Sequence, residues 1–238
     1  MKDGKFEYMN WMMTMTMSKI FLTGDFERNI DRKDWSKLSN TTKDDYLIIL
    51  GDFGVLWNND EDDSERFYKD WFNDQPWTTL FIDGNHENFY RLKQLKPIDM
   101  FDSIVGKISN SIYYLYRGEV YTINNLKFLC MGGATSIDRH MRIDGVSWWK
   151  EEIPTYHEFD RCMANAIKHA YVDYILTHTL PYNAILSMDF SYIPCSVSKF
   201  LSNLAPMIKC KRWFSGHFHI NKSYEKYQIL YDEVLQLC

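Results

Sequence analysis

The chain has 238 residues, of which 45% are apolar and 16% aromatic, enough to bury a large core and too many for a disordered polymer. Its 32 acids against 27 bases leave a net charge of −5 with no long like-charge block, so nothing global marks a phosphate-backbone footprint. No stretch approaches 18 continuous apolar residues, which predicts no membrane span, and 5 cysteines without a CxxC pair predict reduced thiols in a cytoplasmic protein.

Residues 1–16 are Met-rich but lack the apolar run and small-residue cleavage site of a signal peptide. They read as an N-terminal extension ahead of one domain over 17–238. "KIFLTGD" (19–25) predicts a strand buried on both faces and stopped at Gly24-Asp25, and "DRKDWSKL" after it predicts a helix. "YLIILGD" (46–52) repeats the strand pattern and stops at Gly51-Asp52. "DEDDSE" (60–65) then reads as a solvated helix start, with acids favoured at the N-terminus, leading into the helix "DSERFYKDWF". "TLFIDGN" (79–85) is the third such strand, followed by the helical pattern "ENFYRLKQL". The three endings lie 27 and 33 residues apart, the length of a βαβ unit.

Residues 111–134 change texture and predict short antiparallel strands around Arg117-Gly118 and Asn124-Asn125 turns. Helical patterns follow at 155–170 and near 195–205, with the strand "DYILTH" (173–178) between them. "RWFSGHFHINKSYEKYQILYDE" returns to strands. The alternation predicts an α/β fold, in which ligands bind beyond the carboxyl ends of the strands.

Those ends carry Asp25, Asp52, Asn85 and His178, joined by His217 and His219 of "GHFH". Strand alternation would place the last two on one side. A single Gly-Asp is usually a turn and a single His usually a core or surface residue, but coincidence at five strand ends points to a shared metal site. Oxygen and imidazole donors without thiolate suit Mn, Fe, Zn or Ni better than Ca.

The order GD…GD…GNHE…TH…GHxH resembles the calcineurin-like metallophosphoesterases over about residues 19–231. "GDFGVLW" and "GGATSIDRHMR…WW" are most similar to small bacterial and phage-type members. The resemblance implies a four-layer αββα sandwich holding two divalent metal ions. Asp52 would bridge both, Asp25 and His219 would sit on the first, and Asn85, His178 and His217 on the second. His86 would act as a catalytic acid or phosphate clamp, and Glu87 would orient its neighbours. The implied activity is hydrolysis of a small phosphodiester or phosphomonoester, a nucleotide among the candidates, by a metal-activated bridging hydroxide.

The family's first motif is Asp-x-His, whereas this chain has Asp25 and then Glu27. Two readings stand: Glu27 ligates the first metal and favours Mn²⁺ (with Mg²⁺, Fe, Ni²⁺ and Zn²⁺ as alternatives), or it points to solvent and the first metal is loose or absent. "GDFGVLW" also lacks the GDxxDRG of protein Ser/Thr phosphatases. Arg139, His140 and Arg142 in "SIDRHMR" are candidate substrate contacts, since a guanidinium matches phosphate oxygens in a fork; an exposed charged loop is the plain alternative. Trp148 and Trp149 would stack a base or cover core, and His157 and His169 read as structural or solvent-facing. A degenerate, non-hydrolytic binding protein is the competing class. A nuclease is a second alternative, for which no basic groove is evident. Oligomeric state is not legible.

Overall fold

In the computed structural model, residues 18–190 and 193–238 are described, and the extension expected over 1–16 lies outside them. The described strands are β1 (Ile20–Thr23), β2 (Tyr46–Leu50), β3 (Thr78–Ile82), β4 (Lys96–Met100), β5 (Ser103–Lys107), β6 (Ile112–Leu115), β7 (Val120–Ile123), β8 (Leu126–Met131), β9 (Tyr171–Thr177), β10 (Lys209–Ser215), β11 (Lys222–Tyr224), β12 (Tyr227–Ile229) and β13 (Leu235–Gln236). They form two sheets, ordered β13-β1-β2-β3-β6-β5-β4 and β11-β12-β10-β9-β8-β7. β1, β2, β3 and β6 run parallel in the first, and β8, β9, β10 and β12 in the second. The helices are α1 (Asp63–Asp74), α2 (Phe89–Leu92), α3 (Tyr156–His169), α4 (Tyr182–Ser187) and α5 (Ser196–Leu204).

Period-two side-chain alternation explains the layering. Ile20, Leu22, Ile48, Leu50, Leu80 and Ile82 of the first sheet meet Phe128, Cys130, Leu176 and Phe214 of the second in one inner core. The alternate residues Phe21, Leu47, Ile49 and Phe81 face outward and pack with Phe72 of α1. On the far side, Leu129, Ile175 and Trp213 pack under Cys162 and Ala166 of α3 and Val197, Leu201 and Leu204 of α5. Both faces of each central strand are therefore buried, as the continuous apolar runs require, and the layers stack αββα. Each fully buried Phe or Leu contributes roughly 1.5–3 kcal/mol.

Four local expectations are corrected. The helix predicted by "DRKDWSKL" is two 3-10 turns, Ile30–Arg32 and Trp35–Leu38. There, Asp34 Oδ1 accepts from Ser36 N, and the Trp35 ring stacks on Trp77 at 5.9 Å and tilts against Trp71 at 5.2 Å. Packing of one large ring overrides helix propensity. "ENFYRLKQL" is helical only over Phe89–Leu92, after which the chain enters β4 at Lys96.

The Arg117-Gly118 connection is a crossing between sheets, since β6 lies in the first and β7 in the second. Arg117, 3% exposed, donates from Nη2 to Asp83 Oδ2 at 2.6 Å, which pins the crossing to the end of β3. Removing one partner of such a buried pair costs about 3–5 kcal/mol. The Asn124-Asn125 hairpin is as expected. Finally, the acidic helix start is only partly solvated. Asp62 caps α1 through Glu65 N, but Glu65 itself is buried and takes two hydrogen bonds from Arg91.

Candidate metal centre

The carboxyl ends of β1, β2, β3 and β9 converge. One carboxylate oxygen each from Asp25 and Asp52 and one ring nitrogen of His178 lie within 4.8 Å of one another, all buried. Two glycines make the convergence sterically possible. A Cβ on Gly51, whose φ is +93°, would stand 2.1 Å from His178 Nδ1, and a Cβ on Gly84 would stand 2.0 Å from Asp52 Oδ1. Each clears space for the polar side chain of another strand end.

Asp52, His178, Asn85 and Asp25 each have atoms held by neighbouring groups. Asp52 Oδ1 accepts from Asn85 N and His86 N, each at 2.8 Å, while Oδ2 faces His178 Nε2 at 3.4 Å. His178 Nδ1 lies 2.8 Å from Leu50 O, a carbonyl that can only accept, so Nδ1 carries a proton and Nε2 is the inward atom. Asn85 Nδ2 donates outward to Ser136 Oγ at 3.1 Å, and Oδ1 stands 3.1 Å from His178 Nε2. Asp25 accepts from His217 N through both oxygens, at 3.0 and 3.1 Å.

The acceptors Asp52 Oδ2 and Asn85 Oδ1 thus meet an imidazole nitrogen with nothing but a proton or a cation to reconcile them. The pKa values follow from this. Burial would lower the His178 pKa, but the Asp52 charge and hydrogen bond, with Asp25, raise it to about 10. Burial would raise Asp52, but His178 holds it below the usual carboxylate range. Asp25 is raised to about 6 by burial, and His217 is pushed down to about 3 by burial and the neighbouring His178 charge. A buried donor set of this kind fits a divalent cation, with neutral imidazoles and ionised carboxylates as the binding forms.

His217 and His219 reach the cluster by a route the strand alternation did not anticipate. β10 ends at Ser215, and both histidines lie beyond it on left-handed backbone, φ +72° and +51°. Phe218 N donates to Gly216 O in a tight turn, so the two rings separate. The His217 ring approaches His178 at 4.9 Å between centroids, while His219 Nε2 lies 3.5 Å from Asp25 Oδ2 and 3.3 Å from Glu27 Oε1. Glu27 and Asp52 are also left-handed, φ +48° and +49°. Non-glycine residues in this region cluster where surrounding structure over-determines them, often at functional sites.

His86 and Arg142 border a cleft of about 670 Å³ in front of Asp52 and Asn85, and Arg142 Nη2 comes within 3.5 Å of His86 Nε2. Asp138 holds Arg142 through two bonds of 2.7 Å, so the guanidinium is oriented. A pocket of about 300 Å³ adjoins it, walled by Trp57, Arg28 and Gly54. Arg139 and His140 are exposed and line neither space. Glu87 orients its neighbours as expected: buried, it accepts from Phe53 N at 2.7 Å and Gly54 N at 3.1 Å, bracing the loop that follows Asp52. Trp149 is core, edge-on to Trp57, and His157 is exposed.

A family profile described as calcineurin-like phosphoesterase matches residues 19–221. The chain belongs to that family. No curated protein matches it. Membership supports a metal-dependent phosphoesterase of small phosphoester substrates in general terms, and the two packed sheets are the family fold. No described helix of this phosphoesterase is long and apolar enough to cross a membrane.

Sequence reasoning missed Ser136 and Glu152, which stand behind Asn85, and Trp57, Arg28 and Gly54, which wall the smaller pocket. Ser136 lies in the loop motif that drew attention for its charges, and an uncharged Ser carries no signal of its own there.

Proposed function

We propose that this cytoplasmic phosphoesterase hydrolyses a small phosphodiester or phosphomonoester at a centre of two divalent cations, with Mn²⁺ preferred. The observation that carries this is the inward convergence of Asp25, Asp52 and His178 beside the cleft bordered by His86 and Arg142. Asp52 would lie between the two cations. Asp25, Glu27 and His219 would hold the first, and Asn85, His178 and His217 the second. Three carboxylates around the first position favour a hard ion. Bound cations would neutralise phosphoryl oxygens and lower the pKa of water.

The chain's own residues supply the rest. Arg142, pre-oriented by Asp138, offers a fork to two phosphate oxygens, and His86 sits beside it to clamp an oxygen or hand a proton to the leaving group. The pocket at Trp57 and Arg28 would take the leaving group. Arg139 and His140 are left out of the substrate contacts because they line neither space.

The test is hydrolysis of bis-p-nitrophenyl phosphate and p-nitrophenyl phosphate with added Mn²⁺, Mg²⁺, Ni²⁺ or Zn²⁺. Asp52→Asn keeps an oxygen for the backbone N–H groups of Asn85 and His86 but removes the charge, so turnover should fall on the order of a thousandfold with the fold intact. Bound metal with no turnover of either ester would favour the non-hydrolytic reading.

A further inference from the structure

The Asn85 amide can present either its oxygen or its nitrogen to the centre, and only the oxygen can bind a cation. What decides between them lies behind the site. Asn85, Ser136 and Glu152 are all buried, at 4%, 3% and 1% exposure. Ser136 N–H donates to Glu152 Oε1 at 3.1 Å and Ser136 Oγ–H donates to Glu152 Oε2 at 2.6 Å. A serine hydroxyl has one proton, and here it is already given to the carboxylate. Toward Asn85 the same oxygen can therefore only accept, which requires Asn85 Nδ2 to face it at 3.1 Å. Oδ1 is then turned to the opposite side, toward His178 Nε2 at 3.1 Å.

We propose that Ser136 and Glu152 are positioning residues that set the polarity of the Asn85 amide and so complete one of the two cation positions. This rests on the reading of the centre given under the proposed function. It assigns a chemical role to Ser136 and Glu152, in a segment that stood out in the sequence for its charged residues and its Trp148-Trp149 pair. Glu152 acts through Ser136, and Ser136 through Asn85. An alanine-for-serine change would remove the acceptor behind Nδ2 and leave only the contact with His178 Nε2 to orient the amide, whose turned form would present N–H groups to a cation.

The experiment is a calorimetric titration of the chelator-stripped full chain with Mn²⁺, and with Co²⁺ followed by its visible absorption, in wild type and variants. Ser136→Ala and Glu152→Gln should weaken one of the two binding events by about ten- to a hundredfold and leave the other unchanged. Ser136→Thr, which keeps the hydroxyl, should restore it. The sharper arm is a double-mutant cycle with Asn85→Asp, whose two oxygens are equivalent. In that background Ser136→Ala should cost little, because orientation no longer matters.

Equal losses from Ser136→Ala in both backgrounds would mean that the relay only holds the loop in place and would overturn the inference. So would unchanged affinities in Ser136→Ala, or a Thr variant as weak as the Ala variant. Because the readout is cation binding, these outcomes are distinct from failure of the catalytic reading, which would appear as tight binding without turnover in the wild type. Wild-type protein that binds no cation would overturn both.

Discussion

Glu27 Oε1 lies 3.3 Å from His219 Nε2, and its other oxygen takes a hydrogen bond from Arg32 Nη1 at 2.8 Å. The residue that stands where the family's first motif has histidine therefore faces the centre and is braced from behind. Hydrogen bonds from His219 first, then Arg32, overcome burial and hold its pKa down to about 2. Of the two readings open at the sequence level, this geometry supports ligation.

Glu27→His should change which metal is held. Replacing a carboxylate by imidazole next to Asp25 and His219 is expected to shift relative affinity from Mn²⁺ toward Zn²⁺ or Ni²⁺ by about tenfold or more. Competition titration with a chromogenic chelator reads this directly. An unchanged preference order would show that position 27 does not touch the metal.

Cation binding should expel a proton. In metal-free protein the His178 pKa is raised from 6.5 to about 10, so at pH 7 the ring is a cation, and a metal must displace about one proton to use Nε2. Calorimetry in two buffers of different ionisation enthalpy gives the count. The same shift predicts a stability slope for the stripped protein. A raised histidine pKa contributes stability that is fully present below about 6.5 and is lost as pH rises through about 10. Urea midpoints in EDTA across that range should fall, and saturating Mn²⁺ should flatten the trend.

Gly51→Ala should damage fold and site together. The added methyl would meet His178 Nδ1 at 2.1 Å, in a backbone already at φ +93°. The expected loss is roughly 2–4 kcal/mol, seen as a lowered thermal midpoint, with weakened cation binding because His178 must move. Gly54→Ala, where the nearest atom is His86 O at 3.8 Å, provides the control for left-handed backbone without a clash.

Arg142→Ala should lower kcat/KM for p-nitrophenyl phosphate by about ten- to a hundredfold and for the diester by less, since a monoester exposes more charged oxygen to the guanidinium. Arg142→Lys should not recover the loss, because an ammonium cannot make the two bonds to Asp138 that orient the fork. Steady-state kinetics on both esters checks the difference.

Much of the centre was legible in the one-dimensional pattern. Asp25, Asp52, Asn85 and His178 announce themselves because a polar residue that ends a doubly buried strand has no room to be casual, and parallel strands deliver their ends to one edge. His217 and His219 of "GHFH" joined them by residue type, and the family order of motifs added the αββα layering. What the residues themselves determined was the buried strands, the glycines beside them and the chemical types of the donors.

Tertiary structure alone decided the rest, because it depends on contacts between segments distant in sequence. The left-handed turn after β10, rather than strand alternation, carries His217 and His219 to different parts of the cluster. Trp35 turned an expected helix into 3-10 turns by stacking on Trp77. The Arg117 crossing between sheets was set by a carboxylate 34 residues away, at Asp83. Above all, the orientation of the Asn85 amide is fixed by Ser136 and Glu152, which no periodicity marks. Hydrogen-bond direction is a property of atoms that meet in space, and residue types alone do not specify which atoms those will be.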